Sequence, residues 1–363
     1  MARREKIVFL RVGALGDLLV SLSALESVLR KHPGQEIAVA GPALWLDILR
    51  PFPHWNIGAV YVLTGKYGLD EFRRKEDWYK TGVATSFYRL CRESAVLYNL
   101  RFESLRYSWH AFFARVPVRY GSSPRFFRFL FTHWFGWLGM EPPIHERDWT
   151  QAIVEAPAAS ARIYRGWRYN RHLIEKKYAA LPFEIRNREG LPAMALPGGA
   201  PQISGKYVLV NPTASRRDKA WPAENFRLLS AFLVARLGHL TVITIGSPGE
   251  SAWLAEAAGD TKIVQPQNLA ELFKIVRGAA ALITNTSSMQ FIASATGTPT
   301  LTLMGWADPV RWGPLGEGNL VIRGIPSTHP NIFVRDEESY RSIAVEKVQE
   351  SALAWLRAKD LPR

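Results

Sequence analysis

Asp17 is the first residue whose type and position suggest chemistry. It follows the apolar run Lys6–Val12, which predicts a buried parallel strand, and a turn that contains Gly13 and Gly16. Leucines at helical spacing predict a helix over residues 18–29 behind it. Open α/β sheets bind ligands at the carboxyl ends of their strands, so Asp17 is expected at a ligand site. The alternative interpretation is an aspartate that caps a helix.

A nicotinamide cofactor does not fit this turn. The complete Gly-x-Gly-x-x-Gly pattern is missing, and the second predicted strand, over residues 36–41, ends in Ala40 and Gly41 without the acidic residue that would hold a ribose. The first half of the chain therefore does not resemble an oxidoreductase.

Two loops in the second half carry groups that suit a phosphate. Residues 211–222 follow a predicted strand and offer the hydroxyls of Thr213 and Ser215 and the cation of Lys219, which suit a pyrophosphate. Residues 284–288 join another strand to a helix, so the backbone N–H groups near Ser287 and Ser288 are placed to bind phosphate. Either loop alone could be ordinary helix capping. Two such loops in one domain favour a donor site.

The alternation of strands and helices predicts an α/β fold with two Rossmann-like, doubly wound domains facing a cleft. A third strand is expected at 95–100, and the second half repeats the pattern with strands at 207–211, 241–245 and 281–284 and helices at 223–237, 250–258 and 269–279. The Pro- and Gly-rich stretch 190–205 predicts a linker. We therefore expect domains at 1–195 and 196–363, with a final helix over 344–359 that packs back toward the first domain.

Composition limits the partners. The 46 Lys and Arg against 32 Asp and Glu give a net charge of +14, which favours a polyanion. The chain has no zinc-finger spacing and no basic recognition helix, so nucleic acid is not expected. Its one cysteine, Cys91, excludes an internal disulfide and fits a reducing compartment. No apolar run approaches the roughly 18–20 residues that span a bilayer, so membrane contact would be peripheral and from the cytosol.

Arginines and aromatic residues are concentrated after residue 100. Apolar residues at 127, 130, 131, 134 and 138 fall on one helical face, which predicts a basic amphipathic helix for the headgroup zone of an anionic membrane. An ordinary helix packed on its own domain remains the alternative. The arginines expected to contact an acidic acceptor are Arg101, Arg106, Arg119, Arg125 and Arg128.

These residues resemble the ADP-heptose:lipopolysaccharide heptosyltransferases of glycosyltransferase family 9, which have the GT-B fold. The resemblance spans nearly the whole chain, and the order and spacing of its motifs make it specific. The motifs are residues 12–18 with Ala24 and Leu25, Ser215–Pro222, Gly246–Glu250, Gly297–Pro299, Gly305–Pro314 and Ile343–Val348.

The resemblance implies an inverting transfer in which Asp17 is the base that deprotonates the acceptor hydroxyl, with Gly13 and Gly16 beside the acceptor. Ser215 and Lys219 match donor-phosphate ligands, Glu250 the ribose-binding acid, and Gln267 the adenine contact. No Asp-x-Asp is present and no histidine pair has metal-ligand spacing, so neither metal nor cofactor is expected. The implied partners are ADP-heptose, an acidic glycolipid acceptor and the inner face of the inner membrane.

One loop departs from the family pattern. The family has Asp, then Ser or Thr, then Gly, and a His shortly after, where this chain has Thr286, Ser287, Ser288 and Phe291. Thr286 and Ser288 still supply hydroxyls beside the donor. Two rival hypotheses follow: a related transferase that uses another nucleotide sugar, and a non-catalytic glycolipid-binding protein.

Overall fold

The computed structural model describes most of the chain in two compact units, Met1–Asn170 and Arg171–Arg363. The described residues are 4–64, 68–74, 78–100, 105–123, 125–138, 145–156, 164–165, 183–185, 190–195, 203–238, 240–325 and 332–359. Among them, no helix combines the length and the apolar character needed to cross a membrane.

The first unit is built on a nine-stranded sheet in the order β5-β4-β3-β2-β1-β6-β7-β8-β9. Its elements are β1 Lys6–Leu10, α1 Leu15–Val20, α2 Leu22–Lys31, β2 Ile37–Gly41, α3 Leu44–Leu49, β3 Ile57–Thr64, β4 Gly68–Arg74, β5 Trp78–Ser86, α4 Phe87–Glu93, β6 Ser94–Asn99, α5 Arg106–Phe113, β7 Val118–Ser123, a 3₁₀ helix Arg125–Leu130, β8 His133–Leu138, α6 Glu146–Val154 and β9 Tyr164–Arg165. The strand pairs are parallel except for β3 with β4 and β4 with β5, which form an antiparallel edge.

The predicted strands at the centre of this sheet are confirmed. β1, β2 and β6 are apolar because helices cover the faces of a parallel sheet, and every residue of β2 is buried. The predicted helix over residues 18–29 is two helices, since Ser21 ends α1 and its hydroxyl bonds to the Leu18 carbonyl at 2.7 Å. The antiparallel edge was not predicted.

The predicted amphipathic helix through residues 127–138 is wrong. The chain there forms a 3₁₀ helix and then the strand β8, which pairs in parallel with β7. Aromatic residues favour strands, and Leu130, Phe131 and Trp134 are buried in one small apolar cluster. Gly121 on β7 permits this packing, since a Cβ there would lie 2.1 Å from the Phe131 ring.

The second unit contains a seven-stranded sheet in the order β10-β16-β15-β14-β11-β12-β13. Its elements are β10 Phe183–Ile185, β11 Tyr207–Asn211, α7 Ala223–Arg236, β12 Thr241–Ile245, α8 Ser251–Ala258, β13 Lys262–Val264, α9 Leu269–Gly278, β14 Ala281–Asn285, α10 Ser288–Thr296, β15 Thr300–Met304, α11 Pro309–Trp312, β16 Asn319–Arg323, α12 Ile332–Arg341 and α13 Val345–Ala358. Among the described strands of this sheet, β10 pairs antiparallel with β16 and the others pair in parallel.

The strands and helices predicted for 207–284 are confirmed in place and type. The two units divide at residues 170 and 171, earlier than the boundary expected at 195, because β10 pairs with the second sheet. The final helix, α13, buries Val348, Ala352 and Leu356 in the core of the second unit, where it packs on α7. Its expected packing toward the first domain stays a prediction.

Candidate active site

The candidate residues follow strands at the point where each sheet reverses its strand order. In the first unit β1 lies between β2 and β6, and in the second β11 lies between β12 and β14. At such switch points the loops after adjacent strands diverge and leave a crevice for a ligand. Asp17 follows β1, whereas the candidate donor loops follow β11 and β14.

Asp17 is held by two groups at the start of α1. Its Oδ2 accepts a hydrogen bond of 2.9 Å from the backbone N–H of Ala14, so the capping interpretation is correct as far as it goes. Its Oδ1 lies 3.4 Å from Arg11 Nη2, and the side chain remains 32% exposed. A carboxylate that caps its helix and is still open to solvent can also accept a proton from a ligand.

The two glycines near Asp17 differ in their roles. A Cβ on Gly13 would lie 2.6 Å from the Cβ and the Oδ2 of Asp17, so only glycine leaves room for the carboxylate. Gly16 lies inside α1, in the turn that carries Asp17. The placement of both glycines beside the acceptor stays a prediction.

Arg11 and Glu146 were missed by sequence reasoning. The Arg11 side chain is 5% exposed, and its Nη2 lies 3.2 Å from Oε1 of Glu146, whose side chain is 3% exposed. Arg11 also donates to the backbone carbonyls of Leu100 at 2.8 Å and Asp17 at 3.2 Å. An arginine at the end of an apolar strand was the available signal, because a buried cation requires an anionic partner. The partner is 135 residues away.

A buried polar chain connects the two loops at the second switch point. Asn211 at the end of β11 donates to the Thr213 hydroxyl at 3.0 Å and accepts from the Thr284 hydroxyl at 2.9 Å. Thr284 in turn lies 3.2 Å from the Ser287 hydroxyl. Asn285 donates to the Pro212 carbonyl at 2.8 Å. The loops after β11 and β14 therefore hold one arrangement. Thr213, at 3% exposure, belongs to this support and not to an open surface.

Ser215 and Lys219 are the accessible groups of the loop after β11. Ser215 is exposed, and the Lys219 side chain is 43% exposed, with Nζ 3.8 Å from Oδ2 of Asp336 on α12. Burial raises the pKa of the Asp336 carboxyl, and the nearby Lys219 ammonium opposes that rise. Lys219 is therefore an accessible cation of this loop, with Asp336 as its internal counter-charge.

Glu250 and Gln267 lie in the loops after β12 and β13. Glu250 Oε2 accepts from the backbone N–H and the hydroxyl of Ser247, both at 2.8 Å, so part of the carboxylate caps the turn before α8. Gln267 is exposed, and its amide donates to the Gln265 carbonyl at 3.0 Å. Both residues share the carboxyl edge with the loops described above.

The loop that departs from the family pattern is well supported. Ser287 caps α10 by accepting from the Met289 N–H, and Ser288 begins the helix. Thr286 donates its backbone N–H to the Leu303 carbonyl at 3.0 Å and contacts the hydroxyl of Tyr340. Burial raises the pKa of Tyr340. Phe291 is 4% exposed in the second unit. The position where the resemblance implied a histidine therefore holds a buried apolar side chain.

The arginines expected to contact an acceptor do not act alike. Arg101 lies outside the described residues, and for Arg125 only the backbone, in the 3₁₀ helix, is described. Arg119 is turned inward: it donates to the Leu130 carbonyl at 2.7 Å and the Val116 carbonyl at 2.5 Å, and burial lowers its pKa. Arg106 and Arg128 are exposed.

Two Rossmann-like units with polar loops at both switch points define an α/β protein with candidate ligand crevices at the carboxyl ends of its strands. The model of glycosyltransferase family 9 (heptosyltransferase) matches residues 147–339, more than half of the 363 residues. The chain therefore belongs to this family.

Individual relatives agree. A lipopolysaccharide heptosyltransferase 1 of Escherichia coli is 28% identical over 126 residues, which are 34% of this chain and 39% of the relative. The chain spans less than two thirds of the length of the curated relatives that it matches.

Solved structures share the fold. A family 9 glycosyl transferase from Veillonella parvula has a TM-score of 0.67 at 18% identity and covers 99% of each chain. The Escherichia coli heptosyltransferase WaaC with ADP has a TM-score of 0.62 at 14% identity and covers 96% of this chain and 99% of its own. The chain is thus an α/β protein of the GT-B type, as predicted.

Proposed function

We propose that this protein transfers a heptose from ADP-heptose to an acidic glycolipid of the lipopolysaccharide-core type, with inversion and without a metal ion. The observation that carries the proposal is the Asp17 carboxylate. It is fixed by Ala14 and Arg11 at the switch point of the first sheet, in a member of glycosyltransferase family 9. The other groups have supporting roles.

In this mechanism Asp17 accepts the proton of the acceptor hydroxyl as that oxygen attacks the anomeric carbon. The new carbon–oxygen bond forms on the face opposite the leaving ADP, which departs with the electrons of its own bond to carbon. The Ala14 N–H and the Arg11 guanidinium fix the direction of the carboxylate, and each of its oxygens keeps a lone pair for the proton. Orientation is the main contribution of these two groups.

The leaving group develops negative charge on its phosphates. Cations and helix N-termini stabilise phosphate oxygens. That charge is therefore suited by Lys219, by the Ser215 hydroxyl and by the first N–H groups of α10, near Ser287 and Ser288. These groups would take the place of a divalent ion. Glu250 is assigned to the ribose hydroxyls, which it would bind through the lone pairs that do not accept from Ser247. Gln267 is assigned to the adenine.

The donor sugar is the least constrained part of the proposal. WaaC, a solved protein of similar fold, is described with ADP. In this chain Phe291 is buried where the family has a histidine, and Thr286 replaces an acid, so the surroundings of the sugar differ from the family pattern. A related transferase with another nucleotide sugar is therefore the second candidate, and competition among ADP-, UDP- and GDP-sugars separates the two.

The acceptor and the location complete the proposal. Exposed Arg106 and Arg128 and the charge of +14 favour an acidic glycolipid at an anionic surface. We place the enzyme in the cytoplasm, in peripheral contact with the inner face of the inner membrane.

Calorimetric titration with ADP and ADP-heptose, without metal and then with magnesium, tests the donor side. The expected result is binding that does not require metal and that weakens at least about tenfold in K219A, since a charge-assisted phosphate contact contributes about 1.5–3 kcal/mol. K347A removes an exposed lysine from α13 and is the matched control, which should bind as the unmodified protein does.

Each outcome bears on a different part of the proposal. If the protein binds ADP but does not prefer ADP-heptose to other nucleotide sugars, the second candidate is favoured. No binding of any nucleotide would overturn the transferase proposal and favour the non-catalytic glycolipid-binding alternative.

A further inference from the structure

Four aromatic rings form a cluster on α5 and the 3₁₀ helix of the first unit, and two of them are exposed. Phe113 is 64% exposed and Phe129 49% exposed. Trp109 stacks on Phe113 at 5.5 Å between centroids and meets Phe129 edge to face at 5.6 Å. Phe112 contacts Phe129 at 5.7 Å. A contiguous apolar patch of this kind on a soluble surface marks an interaction site.

Exposed arginines lie on the same two segments. Arg106 begins α5, Arg115 follows it, and Arg128 is adjacent to Phe129, and all three are exposed. Residues 105–130 contain no aspartate or glutamate. We call these four rings and three arginines the aromatic–arginine surface.

The inner layer of this surface is buried and packed. Below the exposed rings, Leu130, Phe131 and Trp134 are buried, and Phe112 packs against them. The Arg119 guanidinium lies 5.7 Å from the Phe112 ring centroid while it bonds to two backbone carbonyls. The exposed rings are therefore supported from below and need little ordering on contact with a partner, which lowers the entropic cost of binding.

We propose that the aromatic–arginine surface binds an anionic lipid membrane. Trp and Phe are the residues that enter the interfacial region of a bilayer, and basic residues beside them are attracted by anionic headgroups. The absence of acidic residues across 105–130 fits a lipid surface better than a second copy of this chain, which would oppose arginine to arginine. The proposal rests on the proposed function in that it assigns the peripheral membrane contact, and with it exposed Arg106 and Arg128, to this surface.

Co-sedimentation with vesicles tests this surface in the full chain. The unmodified protein is expected to bind vesicles of phosphatidylglycerol and phosphatidylethanolamine and to bind phosphatidylcholine vesicles weakly. F113S and F129S should each lower the affinity about tenfold, and R106Q, R115Q and R128Q about fivefold each. F113L, which keeps an apolar side chain, should retain most of the binding.

The control variants change side chains of the second unit that are equally exposed. I325S removes an apolar residue that is 71% exposed, and R236Q removes an exposed arginine. Both should bind vesicles as the unmodified protein does. Because the replaced side chains are exposed, circular dichroism of every variant should be unchanged.

Three results would overturn the proposal. The first is equal binding to phosphatidylcholine vesicles and to anionic vesicles, and the second is unchanged vesicle binding by the F113S/F129S double variant. The third is self-association of the unmodified protein that the double variant loses, without any vesicle binding, which would identify a protein interface. ADP titration of the same samples separates this inference from the proposed function. Vesicle binding through these residues without ADP binding would support the membrane surface and refute the transferase. ADP binding without vesicle binding would do the reverse.

Discussion

Replacement of Arg11 with methionine should destabilise the first unit strongly. The Arg11 and Glu146 side chains are 5% and 3% exposed, with 3.2 Å between Nη2 and Oε1. Methionine keeps much of the volume but removes the guanidinium that neutralises a buried carboxylate. Loss of one partner of a buried ion pair costs about 3–5 kcal/mol in the free energy of unfolding.

The lower end of that range is expected. Asp17, the other anion at Arg11, is 32% exposed and can be solvated when the cation is lost. The hydrogen bond to the Leu100 carbonyl is also lost, which adds about 1 kcal/mol. We therefore expect R11M to lower the free energy of unfolding by about 4 kcal/mol. R11M/E146Q should recover about half of this, because a neutral amide is easier to bury than a carboxylate.

Urea unfolding measures these differences, and hydrogen exchange in peptides that cover β1 and α6 assigns the transition to the first unit, since two units need not unfold together. R30M is the control: Arg30 and Glu26 form an exposed pair at 3.0 Å, which contributes at most about 0.5 kcal/mol. A loss under about 1 kcal/mol in R11M, or a double variant less stable than R11M, would refute the reasoning.

Two further predictions concern activity and pH. D17N should lower turnover about 10²–10⁴-fold, as expected for loss of a general base, while ADP affinity changes little. The control is D47N, which replaces an exposed aspartate on α3. Near-normal turnover in D17N would exclude the base assignment. D336N should tighten ADP binding about two- to fivefold at neutral pH, because the carboxylate that competes for Lys219 is gone. As pH falls through the raised pKa of Asp336, its carboxyl loses charge in the unmodified protein. The ADP affinities of D336N and of the unmodified protein should therefore converge in acid. A ratio of the two affinities that calorimetry finds constant with pH would contradict this.

Local sequence patterns were sufficient for the elements that flank the site. Buried strands of parallel sheets are continuous apolar runs, so β1, β11 and β14 were predicted from the sequence, and with them the loops that carry Asp17, Lys219 and Ser287. For the segment after residue 127, local patterns predict the wrong element. Its apolar spacing fits a helix, but the pairing of β8 with β7 decides its conformation.

The sequence by itself thus determined the fold class, the carboxyl-end position of the candidate residues and the basic, aromatic character of the first unit. Only the tertiary structure decided which charges meet and which rings stay exposed. Arg11 and Glu146 are far apart in the chain, and Phe113 and Phe129 both contact Trp109 only because α5 packs on the 3₁₀ helix. The physical reason is that periodicity reports the face that a residue occupies within its own element, whereas ion pairing and exposure depend on which distant element covers that face.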